Sequence, residues 1–149
     1  MVMLLFWSYN LFALIVLIYL KLTEGKSKQI YNDFMRKLEK QMNFALSNKS
    51  NWRGSNTVVE YNDSTNCSSV YLHGHNIATL DHNTNALKIS SCGYETVTTK
   101  SRLNAILEER MYGCRVYQKN WEWFVSKYNQ TVDFIDGMII LDSYELQTV

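Results

Sequence analysis

The chain has 149 residues, room for one domain of ordinary size and not for two separate cores. Hydrophobic residues make up 46% and charged residues 19%, which excludes disorder by composition. Fifteen Lys and Arg against fourteen Asp and Glu leave a net charge of +1, so any polyanion site has to be a local patch.

The first element is apolar. Val2–Leu20 carries no charge, and as a helix at 1.5 Å per residue it spans about 28 Å, close to the hydrocarbon thickness of a bilayer. Trp7, Tyr9 and Tyr19 stand where interfacial aromatics sit. Lys21, Lys26 and Lys28 follow, then Arg36, Lys37 and Lys40, and no Lys or Arg precedes the run. The positive-inside rule then places the N-terminus outside and the following domain in the cytoplasm, anchored in the membrane. A cleaved signal peptide would need a basic start and small residues before the cut. A downstream start at Met35 or Met42 is the other alternative, and it would leave a cytoplasmic domain with no anchor.

Lys26–Leu46 has helical spacing, with Ile30, Phe34, Leu38, Met42 and Leu46 four apart and charges on the other faces. Its stripe is expected to pack on a following sheet. Ser47–Ser55 reads as a polar linker. The organisation is therefore a membrane helix over 2–20, an amphipathic helix and linker over 21–50, and a small domain over 51–149.

From Thr57 the period changes to two. Thr57–Tyr61, Ser69–Leu72, Ile77–Leu80 and Ala86–Ser90 are predicted strands, with His73-Gly74-His75-Asn76 as a tight hairpin. Lys100–Tyr112 is the second helix, with Thr98 or Thr99 as N-cap and Gly113 at its C-terminal end. Cys114–Gln118 and Trp121–Ser126 are expected to pair around Lys119-Asn120, which puts Trp121 and Trp123 on one strand face. Thr131–Ile135 and Met138–Leu141 are expected to pair around Asp136-Gly137. The fold class is α+β: an antiparallel sheet built from hairpins, two covering helices, and the apolar helix in front.

Val70-Tyr-Leu-His-Gly74, Ile77-Ala78, Gly93-Tyr94 with Thr96, Thr98-Thr-Lys-Ser-Arg-Leu-Asn104, Gln118-Lys119 and Asp136-Gly-Met138 occur in an order that resembles a small uncharacterised bacteriophage family. The likeness runs from about Trp52 to Leu141. It implies a phage origin and a compact α+β domain, and it brings no catalytic residues. The apolar N-terminal segment departs from the family's pattern.

Cys67, Cys92 and Cys114 lack CxxC spacing and leave one thiol over in any pairing, so free thiols are expected. Sequons at Asn48, Asn62, Asn66 and Asn129 compare with about two expected by chance in so Asn-, Ser- and Thr-rich a chain, and they do not carry a secreted reading. His73 and His75, with His82, Cys67 and Cys92, invite a zinc reading, but the spacing fits turn histidines better. Asp133, Asp136, Asp142, Glu108 and Glu109 lack the spacing of a metal-dependent nuclease. No phosphate loop, GxSxG or HExxH is present in the sequence, so neither catalysis nor a cofactor or metal is expected.

One cluster stands out. Thr98, Thr99, Lys100 and Arg102 place two hydroxyls and two cations at a helix start, where free N–H groups favour anions. Solvated side chains around a cap are the plainer alternative. The expected function is a phage accessory protein, membrane-anchored, whose cytoplasmic domain binds a host or phage protein. The alternative is a nucleic-acid-binding domain that uses Thr98–Arg102.

Overall fold

The computed structural model describes residues 36–142 together with Lys26, Gln29 and Asp33. Val2–Leu20, Ile30 and Phe34 lie outside the described residues. Among the described residues no helix is long and apolar enough to cross a membrane. The chain divides into two compact units, Met1–Lys37 and Leu38–Val149, and the packing below belongs to the second.

Helix α1 is described over residues 36–47. Strands β1 (Trp52–Gly54), β2 (Thr57–Asn62), β3 (Cys67–Leu72), β4 (His75–Asp81) and β5 (Ala86–Ile89) follow. Helix α2 (Val97–Arg110) precedes β6 (Cys114–Lys119), β7 (Glu122–Lys127), β8 (Gln130–Asp133) and β9 (Met138–Ile140). The fold is α+β and antiparallel, but it has two sheets where one was expected. The larger runs β1-β2-β3-β4-β5-β9 and the smaller β6-β7-β8.

Alternation builds the core. Val59, Val70, Leu72, Leu80, Leu87, Ile89, Met138 and Ile140 share the buried side of the larger sheet. Met42, Ala45 and Leu46 from α1, Leu103, Ile106, Leu107 and Met111 from α2, and Val116, Trp123 and Val125 from the smaller sheet complete one cluster. A bulge opposite Val70/Tyr71 lets consecutive Ile77 and Ala78 both turn inward. The β3–β4 hairpin turns on His73-Gly74 with φ of 51° and 84°, the left-handed pair that a two-residue type I′ turn requires.

Five local expectations change. The stretch read as a linker contains β1, which pairs with β2 as an edge strand, Trp52 opposite Val59. The ring of Trp52 lies so close over Gly54 that a Cβ there would collide with it. Helix α2 begins three residues early: Thr96, not Thr98 or Thr99, is the N-cap, and its Oγ1 accepts from the Thr99 N–H at 3.1 Å. The helix also ends earlier, with Met111 as C-cap, and Gly113 (φ 74°) bends the chain into β6.

The last two changes concern pairing. Asp136-Gly137 does turn, with the Met138 N–H donating to the Ile135 carbonyl at 3.0 Å, but it does not close a hairpin. β8 pairs with β7, and β9 crosses to β5, where Met138 and Ile140 extend the apolar face. Lys119 pairs with Glu122, so the β6–β7 turn is Asn120-Trp121 rather than Lys119-Asn120. Trp121 and Trp123 therefore do not share a strand face.

The helices are locked to the larger sheet by a buried charge. Arg102 has 0% exposure; its Nη1 meets Glu39 Oε1 of α1 at 2.9 Å and its Nε donates to Thr57 Oγ1 of β2 at 3.2 Å. The Ser101 hydroxyl also donates to Glu39, and Asn43 Nδ2 donates to the Ala105 carbonyl at 2.8 Å. Breaking a buried pair from one side leaves the other charge uncompensated. Arg102→Ala is expected to lower stability by about 3 kcal/mol in chemical denaturation, and exposed Lys119→Ala by less than about 0.5 kcal/mol. Equal, small losses for both would show that the guanidinium is solvated.

Candidate functional site

The structure disperses the four residues of the predicted anion site. Thr98 is half-buried, and buried Thr99 is tied by its hydroxyl to Thr96 Oγ1 at 2.9 Å. Lys100 turns toward the smaller sheet, where its Nζ donates to Gln118 Oε1 at 3.3 Å and lies 5.6 Å from the ring centroid of Trp123. Arg102 lies inside the domain, not at its surface. Of the two cations, only Lys100 is within reach of solvent.

Two clefts flank the start of α2 instead, and the segment before the helix lines both. Tyr94 and Thr96 face the first cleft and Glu95 the second. The first is about 360 Å³. It has an aliphatic floor of Leu72 and Ile77 and a rim of His73, His75 and the hydroxyls of Ser91, Thr98 and Thr99. His75 packs on Tyr94 with ring centroids 4.7 Å apart. Hydroxyls, two imidazoles and a phenol make a hydrogen-bonding recess.

The zinc candidates do not converge. His73 and His75 share the first cleft, but His82 lies past the far end of β4. There it bonds Ser68 Oγ at 2.7 Å and meets Tyr61 edge-on at 5.9 Å. Partial burial, with Lys49 and Arg110 nearby, holds the His82 pKa below its usual value. Cys67, Cys92 and Cys114 are free thiols, and burial pushes Cys114 up to about 11. Among the described residues no group of three His, Cys, Asp or Glu side chains could hold a metal ion.

The second cleft is about 320 Å³ and joins three elements: Glu95 before α2, Trp121 to Trp123 at the β6–β7 turn, and Asp133-Phe134 at the end of β8. Trp123 is buried and meets Phe134 edge-on, with centroids 5.4 Å apart. Trp121, one step back in the turn, is 89% exposed and adopts φ 68°. A bulky side chain rarely takes that conformation, which Asn and Gly usually occupy. Sequence reasoning missed Glu95 and the turn position of Trp121; the Asn120-Trp121 step was the available signal. Of the other carboxylates singled out, Glu109 accepts from the Ser47 hydroxyl at 3.2 Å, and Glu108 and Asp142 are exposed.

Asp136 holds the loop that divides the clefts. Cys92 and Gly93 take φ of 53° and 77°, which turns the Ser91 and Gly93 N–H groups toward one point while the Cys92 N–H donates to Ser90 Oγ at 3.0 Å. The Asp136 carboxylate fills it, accepting from the Ser91 N–H and, at 3.1 Å, from the Gly93 N–H. Partial burial alone would raise its pKa, but the bonds from Ser91, Ser90 and Gly93 outweigh this and hold it below the ordinary value. A lowered folded pKa means that the stabilisation is present above the unfolded pKa and is lost as pH falls through the folded one. Asp136→Ala is expected to lose about 1 kcal/mol at neutral pH, a hydrogen-bonded carboxylate discounted for solvent screening. The gap to wild type should close in acid denaturation below the ordinary carboxylate range; a pH-independent gap would show that the charge plays no part.

No curated protein matches the chain, and no solved structure does. Residues 35–141 match the family described as Kyanoviridae Gp96 protein, from α1 through β9. That is more than half of the chain, and it agrees with the resemblance to a bacteriophage family. The chain belongs to the Kyanoviridae Gp96 protein family of phages.

Proposed function

We propose that this Kyanoviridae Gp96 chain is a phage accessory protein whose α+β domain binds another protein, of host or phage, through the end that carries the second cleft. The carrying observation is Trp121: 89% exposed, at φ 68°, in a turn that would form more readily with glycine or asparagine. An exposed indole in a disfavoured backbone state adds nothing to the core. It is the kind of rigid aromatic that anchors an interface. Val97 (80% exposed) and Tyr94 (54%) extend apolar surface along the segment that reaches the same cleft through Glu95.

In this reading Val2–Leu20 tethers the domain to the host inner membrane. Its uncharged length and the lysines that follow support an orientation with the domain in the cytoplasm. The role is binding, not catalysis. Nucleic-acid contact through Thr98–Arg102 is the weaker alternative, because Arg102 is committed to Glu39 and Glu95 stands close to the helix start.

Full-length chain from infected cells should fractionate with membranes and retain a specific protein that Trp121→Ala loses. Trp121→Gly should lose it too, while keeping or gaining stability by up to about 1 kcal/mol as the left-handed strain is relieved. Undiminished capture by both variants would overturn the interface. Salt-sensitive DNA or RNA binding abolished by Lys100→Glu would favour the alternative, and recovery of the full-length chain only in the soluble fraction would remove the tether.

A further inference from the structure

We infer that β8 is the pairing edge of a symmetric dimer, in which a second copy of this chain adds its own β8 antiparallel and joins the two smaller sheets into one. This does not rest on capture of a protein through Trp121. β8 ends its sheet, with β7 on one side only. The Phe134 N–H donates to the Trp123 carbonyl at 2.9 Å, so these two residues form a hydrogen-bonded pair. Such pairs alternate along an antiparallel ladder. Val132 and Gln130 therefore turn their backbone groups to β7, across from Val125 and Lys127, and Thr131 and Asp133 turn theirs away from it. Both residues are exposed, and among the described residues no hydrogen bond reaches the outward backbone groups of either.

The opposite edge of the same sheet is closed. On β6 the outward residue is Val116, and the Asn104 side chain takes both its N–H, at 2.7 Å, and its carbonyl, at 2.8 Å. Next to it, the Cys114 N–H donates to the Met111 carbonyl at 2.9 Å. β8 instead offers two donors and two acceptors in a row. An open edge of this kind is a template for another strand.

Self-complementarity identifies that strand as a second copy. A twofold axis beside Val132 sets Thr131 opposite Asp133 of the other copy, and Asp133 opposite its Thr131. Each pair exchanges two backbone hydrogen bonds, so every outward group on both edges is satisfied at once. The side chains agree, because a threonine hydroxyl donates to the carboxylate across from it. Slipping the register one way sets Asp133 against Asp133, and like charges directly opposite are unfavourable. Slipping it the other way runs Asp133 into the Tyr128-Asn129 turn. On the other face the two Val132 side chains meet, which lengthens the apolar surface that Val132 already shares with the core. The contact is small beside a standard interface, so the dimer is weak and depends on concentration.

The test follows the full-length chain in a nonionic detergent by sedimentation and by amide hydrogen exchange. The dimer should grow with protein concentration, and the Thr131 and Asp133 amides should become protected with it. The Val132 amide, bonded to β7, should be protected throughout. Thr131→Asp, which sets like charges across both pairs, should weaken the dimer about tenfold, and adding Asp133→Thr, which restores each pair in reverse, should recover it. Thr131→Lys should tighten the dimer about threefold. If Thr131→Asp disturbs β8 itself, the Val132 amide loses its protection, and the Thr131→Lys result decides. Thr131 and Asp133 amides that exchange freely at every concentration overturn the inference. So does a dimer indifferent to these variants, which another part of the chain would be holding. Protection that appears only with a captured protein assigns the edge to a strand of that protein and overturns the second copy.

Discussion

The guanidinium of Arg102 sets the geometry from which the rest follows. A charge with no exposure needs fixed partners, and Glu39 and Thr57 provide them from α1 and β2. Three elements then meet at one point, and the rotational phase of α2 is decided. Leu103, Ile106 and Leu107 face the core, while Ser101 and Ala105 turn toward α1. The side carrying Lys100 and Asn104, four residues apart, faces the smaller sheet. Asn104 grips that sheet at one residue, accepting from the Val116 N–H at 2.7 Å and donating to its carbonyl at 2.8 Å. The turn that carries Trp121 is thus placed, through β6, by the helix that Arg102 holds.

Asp136 plays the matching part for the other wall. Its backbone joins the two sheets, since β8 belongs to one and β9 to the other. Its carboxylate also draws in Ser91 and Gly93, so the loop before α2 takes its shape from a residue over forty positions later. One turn therefore connects the sheets and divides the clefts. A stable frame of this kind can carry strained or uncompensated groups at its edge without losing the fold.

Much of the frame was legible in the sequence because its signals are local. Period-two runs gave β2 to β5 to within a residue or two, and His73-Gly74 announced its hairpin through the left-handed pair that such a turn needs. Partnership was less legible. Asp136-Gly137 is a genuine turn, but a turn signal does not say whether the strand that follows pairs back or crosses to another sheet. Thr96, Thr98 and Thr99 are equivalent caps by propensity; the choice fell to the position that buries Thr99, Arg102 and Leu103 together. Arg102 itself read as a surface cation, because its burial depends on Glu39, sixty-three residues away. The site suffered most from a one-residue slip: moving the turn from Lys119-Asn120 to Asn120-Trp121 took Trp121 off the strand face altogether.

The turns at one end of the larger sheet and the second cleft beside the smaller sheet differ in how fully their polar groups are satisfied. Near the β2–β3 and β4–β5 turns, Lys49 and Tyr61 both reach Asn66 Oδ1, Asn66 bonds Asn83, and His82 bonds Ser68. At the second cleft the carboxylates of Glu95, Glu122 and Asp133 are exposed, and Trp121 stands in a left-handed turn. Asn43 Oδ1 and Arg110 Nε are buried without partners, but each side chain has another polar atom bonded, to Ala105 and to Ser47. Trp123 has a single polar side-chain atom, buried without an acceptor among the described residues. Trp121 breaks a local backbone rule at a position the core does not use, and a frame held elsewhere by Arg102 and Asp136 can carry it there.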